Sequence, residues 1–227
     1  MYQTSRIPGL VRSWYDRAVR LTKRFERALA YAHTLHARQL RKGTQVPYIA
    51  HLLATAGIAL EHGATEDEAI AALLHDAVED QGGQRTLAAI RRRFGPAVAS
   101  IVEGCTDTDQ MPKPPWRPRK EAYLAHLKRA NASVRLVSAA DKLHNARSTV
   151  ADLRATGASV WGRFSAGPEE QLWYYESLVV TFRRRGPRAL AAELARVVEE
   201  MRALAAPRVT DRRSSRSRRS GATRGSR

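Results

Sequence analysis

Apolar residues recur along this chain at helical spacing, with no convincing alternation of period two. Phe25, Ala28, Leu29, Ala32, Leu35 and Leu40 fall near one stripe and predict a long helix over 14–41. Gly43 ends it, and Pro47 holds Val46-Pro47-Tyr48 extended, because proline disfavours helix in the residue before it. A second helix is expected over 49–62, stopped by Gly63. Thr65-Glu66-Asp67-Glu68 is a capping box that opens a third, over 66–79, and Gly82-Gly83 close it. Further helices are expected over 86–94, 96–104, 119–130, 134–154, 168–184 and 187–205. The stretch 106–117 reads as loop, since Met111-Pro112-Lys113-Pro114-Pro115-Trp116-Arg117-Pro118 is too rich in proline for helix. The expectation is an all-α domain of eight to nine helices.

Charge changes this picture at one end. The 227 residues carry a formal +17, and the segment 207–227 alone holds eight arginines against Asp211. With Pro207, Val209 and Ala222 as its apolar content, that segment cannot bury enough surface to offset its ordering entropy. It is expected to be a disordered, Arg/Ser-rich tail with weak polyanion affinity. The remaining +10 is spread over the first 206 residues. Cys105 is the lone cysteine, so no internal disulfide can form, in keeping with a reducing compartment. The first residues lack the apolar core of a signal peptide, and no stretch is long and uncharged enough to span a membrane. A cytoplasmic protein is expected; the sequence does not set its oligomeric state.

The third predicted helix ends against the rules. Leu73-Leu74-His75-Asp76-Ala77-Val78-Glu79-Asp80 places three carboxylates at the negative end of the helix dipole, each unfavourable by about 0.3–1 kcal/mol. A bound cation would remove that conflict. Asp76 and Asp80 are four apart, as are His75 and Glu79, so the two pairs lie on adjacent faces. His51 follows the Val46–Ala50 segment, and Asp141 interrupts the apolar run 134–143, where an unpaired carboxylate is costly to bury. Two imidazoles and two carboxylates suit Mn²⁺, Fe²⁺ or Zn²⁺ with positions left for other oxygens.

Four ordered segments carry a resemblance: His36-Ala37-Arg38-Gln39-Leu40-Arg41-Lys42, then Pro47-Tyr48-Ile49-Ala50-His51, then His75 to Asp80, then Asp141-Lys142-Leu143-His144-Asn145-Ala146-Arg147-Ser148. Over about 25–150 the chain resembles the HD-domain phosphohydrolases, in particular the hydrolase domain of the RelA/SpoT-type alarmone enzymes and the stand-alone small alarmone hydrolases. The resemblance implies an HD-domain helical bundle, with one divalent ion, usually Mn²⁺, held by His51, His75, Asp76 and Asp141. It implies Glu79 and Asp80 as general acid/base and orienting groups, and Arg41, Lys42, Asn145 and Ser148 as substrate contacts. His36 and Gln39 are expected to support the site or to pack. Four positions depart from the family pattern: Leu52 for proline, Gln81 for threonine, Ser138 for lysine and Ser148 for threonine. None is an expected ligand, so substrate identity is more exposed to them than catalysis.

The resulting expectation is hydrolysis of the 3′-pyrophosphate of guanosine 3′,5′-bis(diphosphate), ppGpp or pppGpp, to GDP or GTP. Two alternatives stay open: a metal-dependent phosphatase for NADPH or another small nucleotide, and a nucleic-acid-binding protein with a vestigial site. Expected boundaries are 1–155 for the hydrolase domain, 156–206 for a helical extension packed on it, and 207–227 for the tail. No room is left for a synthetase domain. The aromatic run Gln171-Leu172-Trp173-Tyr174-Tyr175 is expected to be core, with base stacking as the sharper alternative. The loop 107–120 is either a phosphate-side lid or a surface connection.

Overall fold

The computed structural model describes residues 19–110 and 112–206. The expected tail at 207–227 and the start of the predicted first helix lie outside them. The described residues form ten α-helices and one 3₁₀ segment, and no β-strand. The count is nine if the single turn at 77–80 is taken with the helix it continues. In order they are α1 (Lys23–Leu35), α2 (Ile49–Glu61), α3 (Glu66–Leu74), α4 (Ala77–Asp80), α5 (Gly83–Phe94), α6 (Pro96–Cys105), α7 (Trp116–Leu127), α8 (Ala132–Thr156), the 3₁₀ segment Gly157–Arg163, α9 (Pro168–Arg185) and α10 (Arg188–Ala205).

The centre of the fold is α3. Every residue from Ala69 to Leu74 is buried, as expected of a helix that is apolar all round. Thr65 and Glu68 form the anticipated capping box at its start. Around it pack α1, α2, α6 and α8. The 25 residues of α8 make a rod of about 37 Å at 1.5 Å rise per residue. That rod also meets α9, α10 and the 3₁₀ segment, so it is shared by the motif-bearing helices and the C-terminal ones. At Gly104 on α6 an added Cβ would lie 2.6 Å from Val134 Cγ2 on α8, so the two helices approach closely because no side chain intervenes.

Two elements differ from expectation for local reasons. The first helix spans only 23–35: Thr22 caps its start, accepting from the Arg24 amide, and the chain turns at His36. Arg41 N then donates to Val46 O at 2.8 Å and Tyr48 N to Gln39 O at 2.9 Å, so 39–48 folds back on itself as a short bridged loop. Helix α7 begins at Trp116, within the predicted loop, because Pro118 sits in its first turn, where no intrahelical N–H bond is required. Among the described residues no helix is long and apolar enough to cross a membrane.

Two substitutions measure the parts of this scaffold. Leu194 on α10 is fully buried, and Leu194→Ala should lower stability by about 2–5 kcal/mol in urea unfolding. Asn131 accepts from Val134 N at 2.9 Å as the cap of α8, and Asn131→Ala should cost about 0.5–2 kcal/mol.

Candidate metal centre and cleft

His51 stands in the first turn of α2, His75 caps the end of α3, Asp76 opens α4, and Asp141 lies midway along α8. The helix expected over 66–79 breaks at 75–76. Consecutive side chains of an unbroken helix point about 100° apart. At the break, by contrast, His75 Nε2 and Asp76 Oδ2 converge to 3.1 Å. His51 Nε2 lies 3.3 Å from His75 Nε2, 3.2 Å from Asp141 Oδ1 and 3.5 Å from Asp76 Oδ2. His75 Nε2 and Asp141 Oδ1 are 3.5 Å apart. His51, His75 and Asp141 are buried, while the Asp76 side chain keeps 21% exposure.

The outward nitrogens of the two imidazoles fix what the inward ones can be. His75 Nδ1 is 2.8 Å from Ala72 O, which can only accept, so Nδ1 carries the proton. His51 Nδ1 is 2.7 Å from His144 Nδ1. Burial, with His51 and Arg41 beside it, pushes His144 down to about 4, so His144 is neutral and can accept from His51. When His51 donates Nδ1–H to His144, both Nε2 lone pairs point at each other and at two carboxylates, an arrangement that needs a proton or a cation between them. Donor separations of 3.1–3.5 Å match the roughly 3.0–3.4 Å edges of a coordination shell with bonds of about 2.1 Å. Hence His51, His75 and Asp141 fit a divalent cation, with Asp76 adjoining.

The electrostatics agree. Burial alone would lower His75, but Asp76 and Asp141 outweigh it and hold the imidazole well above its ordinary value. Burial would raise Asp76 and Asp141; His75 and His51 keep Asp76 well below the carboxylate range, and Lys142 with the two histidines does the same for Asp141. Without a cation, a proton on His75 takes its place.

Beside this cluster opens a cleft of about 610 Å³. Arg41, Lys42, Asn145, Ser148 and Asp80 all line it. The four expected substrate contacts are thus brought together, but Arg41, Asn145 and Ser148 are also engaged. Arg41 Nη2 donates to Asn145 Oδ1 at 2.6 Å, and Asn145 Nδ2 donates to Asp141 Oδ1 at 2.5 Å. Ser148 Oγ donates back to His144 O at 3.0 Å. Of the acid pair, Asp80 accepts from Gln39 Nε2 at 2.8 Å, and Glu79 accepts from Lys113 Nζ at 2.7 Å. Lys113 belongs to the loop 106–115, so that loop does reach the acid pair. Its two ends are tied where Asp107 accepts from Arg119 and Lys120.

Several residues of the site carried no sequence signal of their own. Tyr48 Oη donates to Asp76 Oδ2 at 2.6 Å, and burial beside Asp76 keeps that phenol protonated. Lys142 Nζ lies 2.5 Å from Asp141 Oδ2. Lys120 lines the cleft; burial, with Lys142 and Arg119 nearby, lowers its ammonium to about 7. Only the position of Tyr48 and Lys142 inside motifs could have drawn attention to them. Phe164, Gln171, Tyr174 and Tyr175 form the opposite wall. Part of the aromatic run is therefore both core and cleft lining. Trp173 instead stacks under Arg117 at 3.3 Å. Gly43, at φ +72°, has Arg163 Cδ 2.6 Å from where its Cβ would be, and Arg163 Nη1 bonds Asp152 Oδ2 at 2.5 Å.

Comparison with known proteins bears on this arrangement. Residues 28–169 match the HD domain family model. The chain is 39% identical over 123 residues to the guanosine-3′,5′-bis(diphosphate) 3′-pyrophosphohydrolase MESH1 of Xenopus tropicalis, covering 53% of this chain and 66% of that protein. It is 33% identical over 138 residues to the bifunctional (p)ppGpp synthase/hydrolase SpoT of Escherichia coli K12, covering 58% of this chain and 19% of SpoT. The matches thus span just under two thirds of the animal relative and less than a fifth of the bacterial one. A solved metazoan ortholog of SpoT, described as hydrolysing ppGpp, superposes with a TM-score of 0.65 at 26% identity, covering 81% of this chain and 98% of that one.

Cation binding should be visible as stability. Mn²⁺ at a hundred times its dissociation constant should add about 2.7 kcal/mol in thermal unfolding, and His75→Ala should abolish the gain. In chelated protein, the raised His75 stabilises fully below its unfolded value of about 6.5 and loses that contribution as pH rises through the folded value. The melting temperature of chelated wild type relative to chelated His75→Ala should therefore be lower at pH 9 than at pH 6, a comparison that cancels the opposite contribution of Lys120.

Proposed function

This chain belongs to the HD domain family, and on that footing we propose that it hydrolyses the 3′-pyrophosphate of ppGpp and pppGpp, releasing pyrophosphate. The observation that carries the reading is the buried His51–His75–Asp76–Asp141 cluster opening into a cation-lined cleft. We assign those four residues as ligands of one divalent ion, Mn²⁺ in the first instance. When bound there, such an ion would supply Lewis acidity toward a phosphoryl oxygen and toward water.

The chain's own groups do the rest. Arg41, Lys42 and Lys142 line the cleft as cations that offset charge gathering on the phosphates of a bound nucleotide, and Lys120 beside them adds to this when protonated. Asp80 is the cleft-facing carboxylate of the acid pair, suited to take a proton from the attacking water. Asp80 can then return that proton to the leaving oxygen, while Glu79, held by Lys113, is suited to orient the water. Asn145 holds Asp141 on one side and Arg41 on the other, so substrate contact and ligand geometry are linked through one amide. We place the boundary between hydrolase domain and extension near residue 155, with the extension completing the cleft through Phe164, Gln171, Tyr174 and Tyr175.

With Mn²⁺ the protein should release pyrophosphate from ppGpp, and Asp76→Ala should reduce the rate at least a hundredfold. Orthophosphate release from NADPH without pyrophosphate release from ppGpp would overturn the substrate assignment. Activity undiminished in Asp76→Ala would overturn the site.

A further inference from the structure

Asp80 is exposed at the end of a single helical turn, a position where a carboxylate would ordinarily turn freely. Here its Oδ2 accepts from Gln39 Nε2 at 2.8 Å. The Gln39 amide is itself held from two further directions. Its Oε1 accepts from Gln81 Nε2 at 2.6 Å and lies 2.7 Å from His36 Nδ1. An ionised carboxylate only accepts, so the Gln39 NH₂ must face Asp80, and the two other groups must donate to its oxygen. His36 meets that demand as the neutral Nδ1–H tautomer. It is 2% exposed, and its Nε2 has no hydrogen-bond partner among the described residues.

The backbone beneath this amide is fixed as well. Gln39 N donates to His36 O at 3.0 Å, and Tyr48 N donates to Gln39 O at 2.9 Å. The His36 and Tyr48 rings stack at 5.1 Å and 13°, and Tyr48 Oη reaches Asp76 Oδ2. One packed unit from the 36–48 loop therefore grips the carboxylates at both ends of α4, through Tyr48 at Asp76 and through Gln39 at Asp80. Gln81, which departs from the family's usual threonine, is the third anchor.

We propose that Gln39 is a positioning residue: locked by His36 and Gln81, it fixes the rotamer of Asp80 so that this carboxylate faces the reacting centre. The inference rests on the proposed hydrolysis. Gln39 also lines the cleft, so direct substrate contact is the competing role, and simple support of the loop is another.

A double-mutant cycle separates the three. Pyrophosphate release from ppGpp with Mn²⁺ is measured for wild type, Gln39→Ala, Asp80→Asn and the double variant. Calorimetric Mn²⁺ affinity and melting temperature are measured alongside. Gln39→Ala should lower kcat by about 10–100-fold, the scale expected for a misplaced reacting group, with KM unchanged within about twofold. It should cost nothing further in the Asp80→Asn background. Gln81→Ala, which removes one anchor from outside the core, should lower kcat less and in the same direction. Equal losses in both backgrounds, a KM effect alone, or parallel losses of Mn²⁺ affinity and melting temperature would overturn the inference. So would an unaffected Gln81→Ala should Gln39→Ala fail to fold. A wild type that releases no pyrophosphate overturns the proposed function instead. The positioning itself is then read from the Gln39 side-chain amide protons: slow exchange that is lost in Asp80→Asn supports it, and fast exchange in wild type overturns it.

Discussion

Two imidazole nitrogens, each with its lone pair inward, stand 3.3 Å apart inside the protein with carboxylate oxygens on either side. Nothing in a packed interior tolerates that arrangement unless positive charge sits within it. Each surrounding element serves to hold it. Ala72 O sets the tautomer of His75, His144 pairs with His51 Nδ1, Tyr48 and Asn145 hold the two carboxylates, and Lys142 balances the far oxygen of Asp141. The groups that touch the four donors are thus largely neutral ones that orient them, with Lys142 the charged exception.

The scaffold explains why this cluster can be rigid. Helix α3 is sealed by apolar neighbours along its whole inner length, so its end at Leu74 is a fixed point from which His75 and Asp76 leave. Helix α8 brings Asp141 to that point and carries Asn145 one turn further on. A break between α3 and α4 is what lets consecutive residues act together. A continuous helix would have divided them between two faces.

The helices were readable because apolar spacing and punctuation by glycine, proline and capping residues agree along most of the chain. Where they misled, the local rule was sound but a tertiary demand prevailed. Residues 36–41 have helical spacing, yet they leave the helix because His36 and Gln39 are needed in a loop. Pro118 looked like a helix breaker and proved to be a first-turn residue. At the site, histidines and carboxylates announce themselves in a sequence because burying them unpaired is costly. Tyr48, Lys120 and the C-terminal aromatics are ambiguous by residue type, since each fits an ordinary core or surface role until the fold sets it against the cleft. Likewise, Asn145 was read only as a nucleotide contact; its bond to Asp141 depends on an i,i+4 relation whose meaning appears only when Asp141 is seen to face the histidines.

The two walls of the cleft are far apart in the chain but meet at a contact that admits no side chain, where Arg163 crosses the backbone at Gly43 and is tethered to Asp152. The cluster and the C-terminal wall of the cleft are therefore separable inheritances. A chain shortened before the 3₁₀ segment would keep every cation donor and lose Phe164, Gln171, Tyr174 and Tyr175 together. Change in the C-terminal wall can retune what the cleft accepts while leaving the chemistry in place. Residue 43, by contrast, is held to glycine by its φ of +72° as well as by the Arg163 side chain across it.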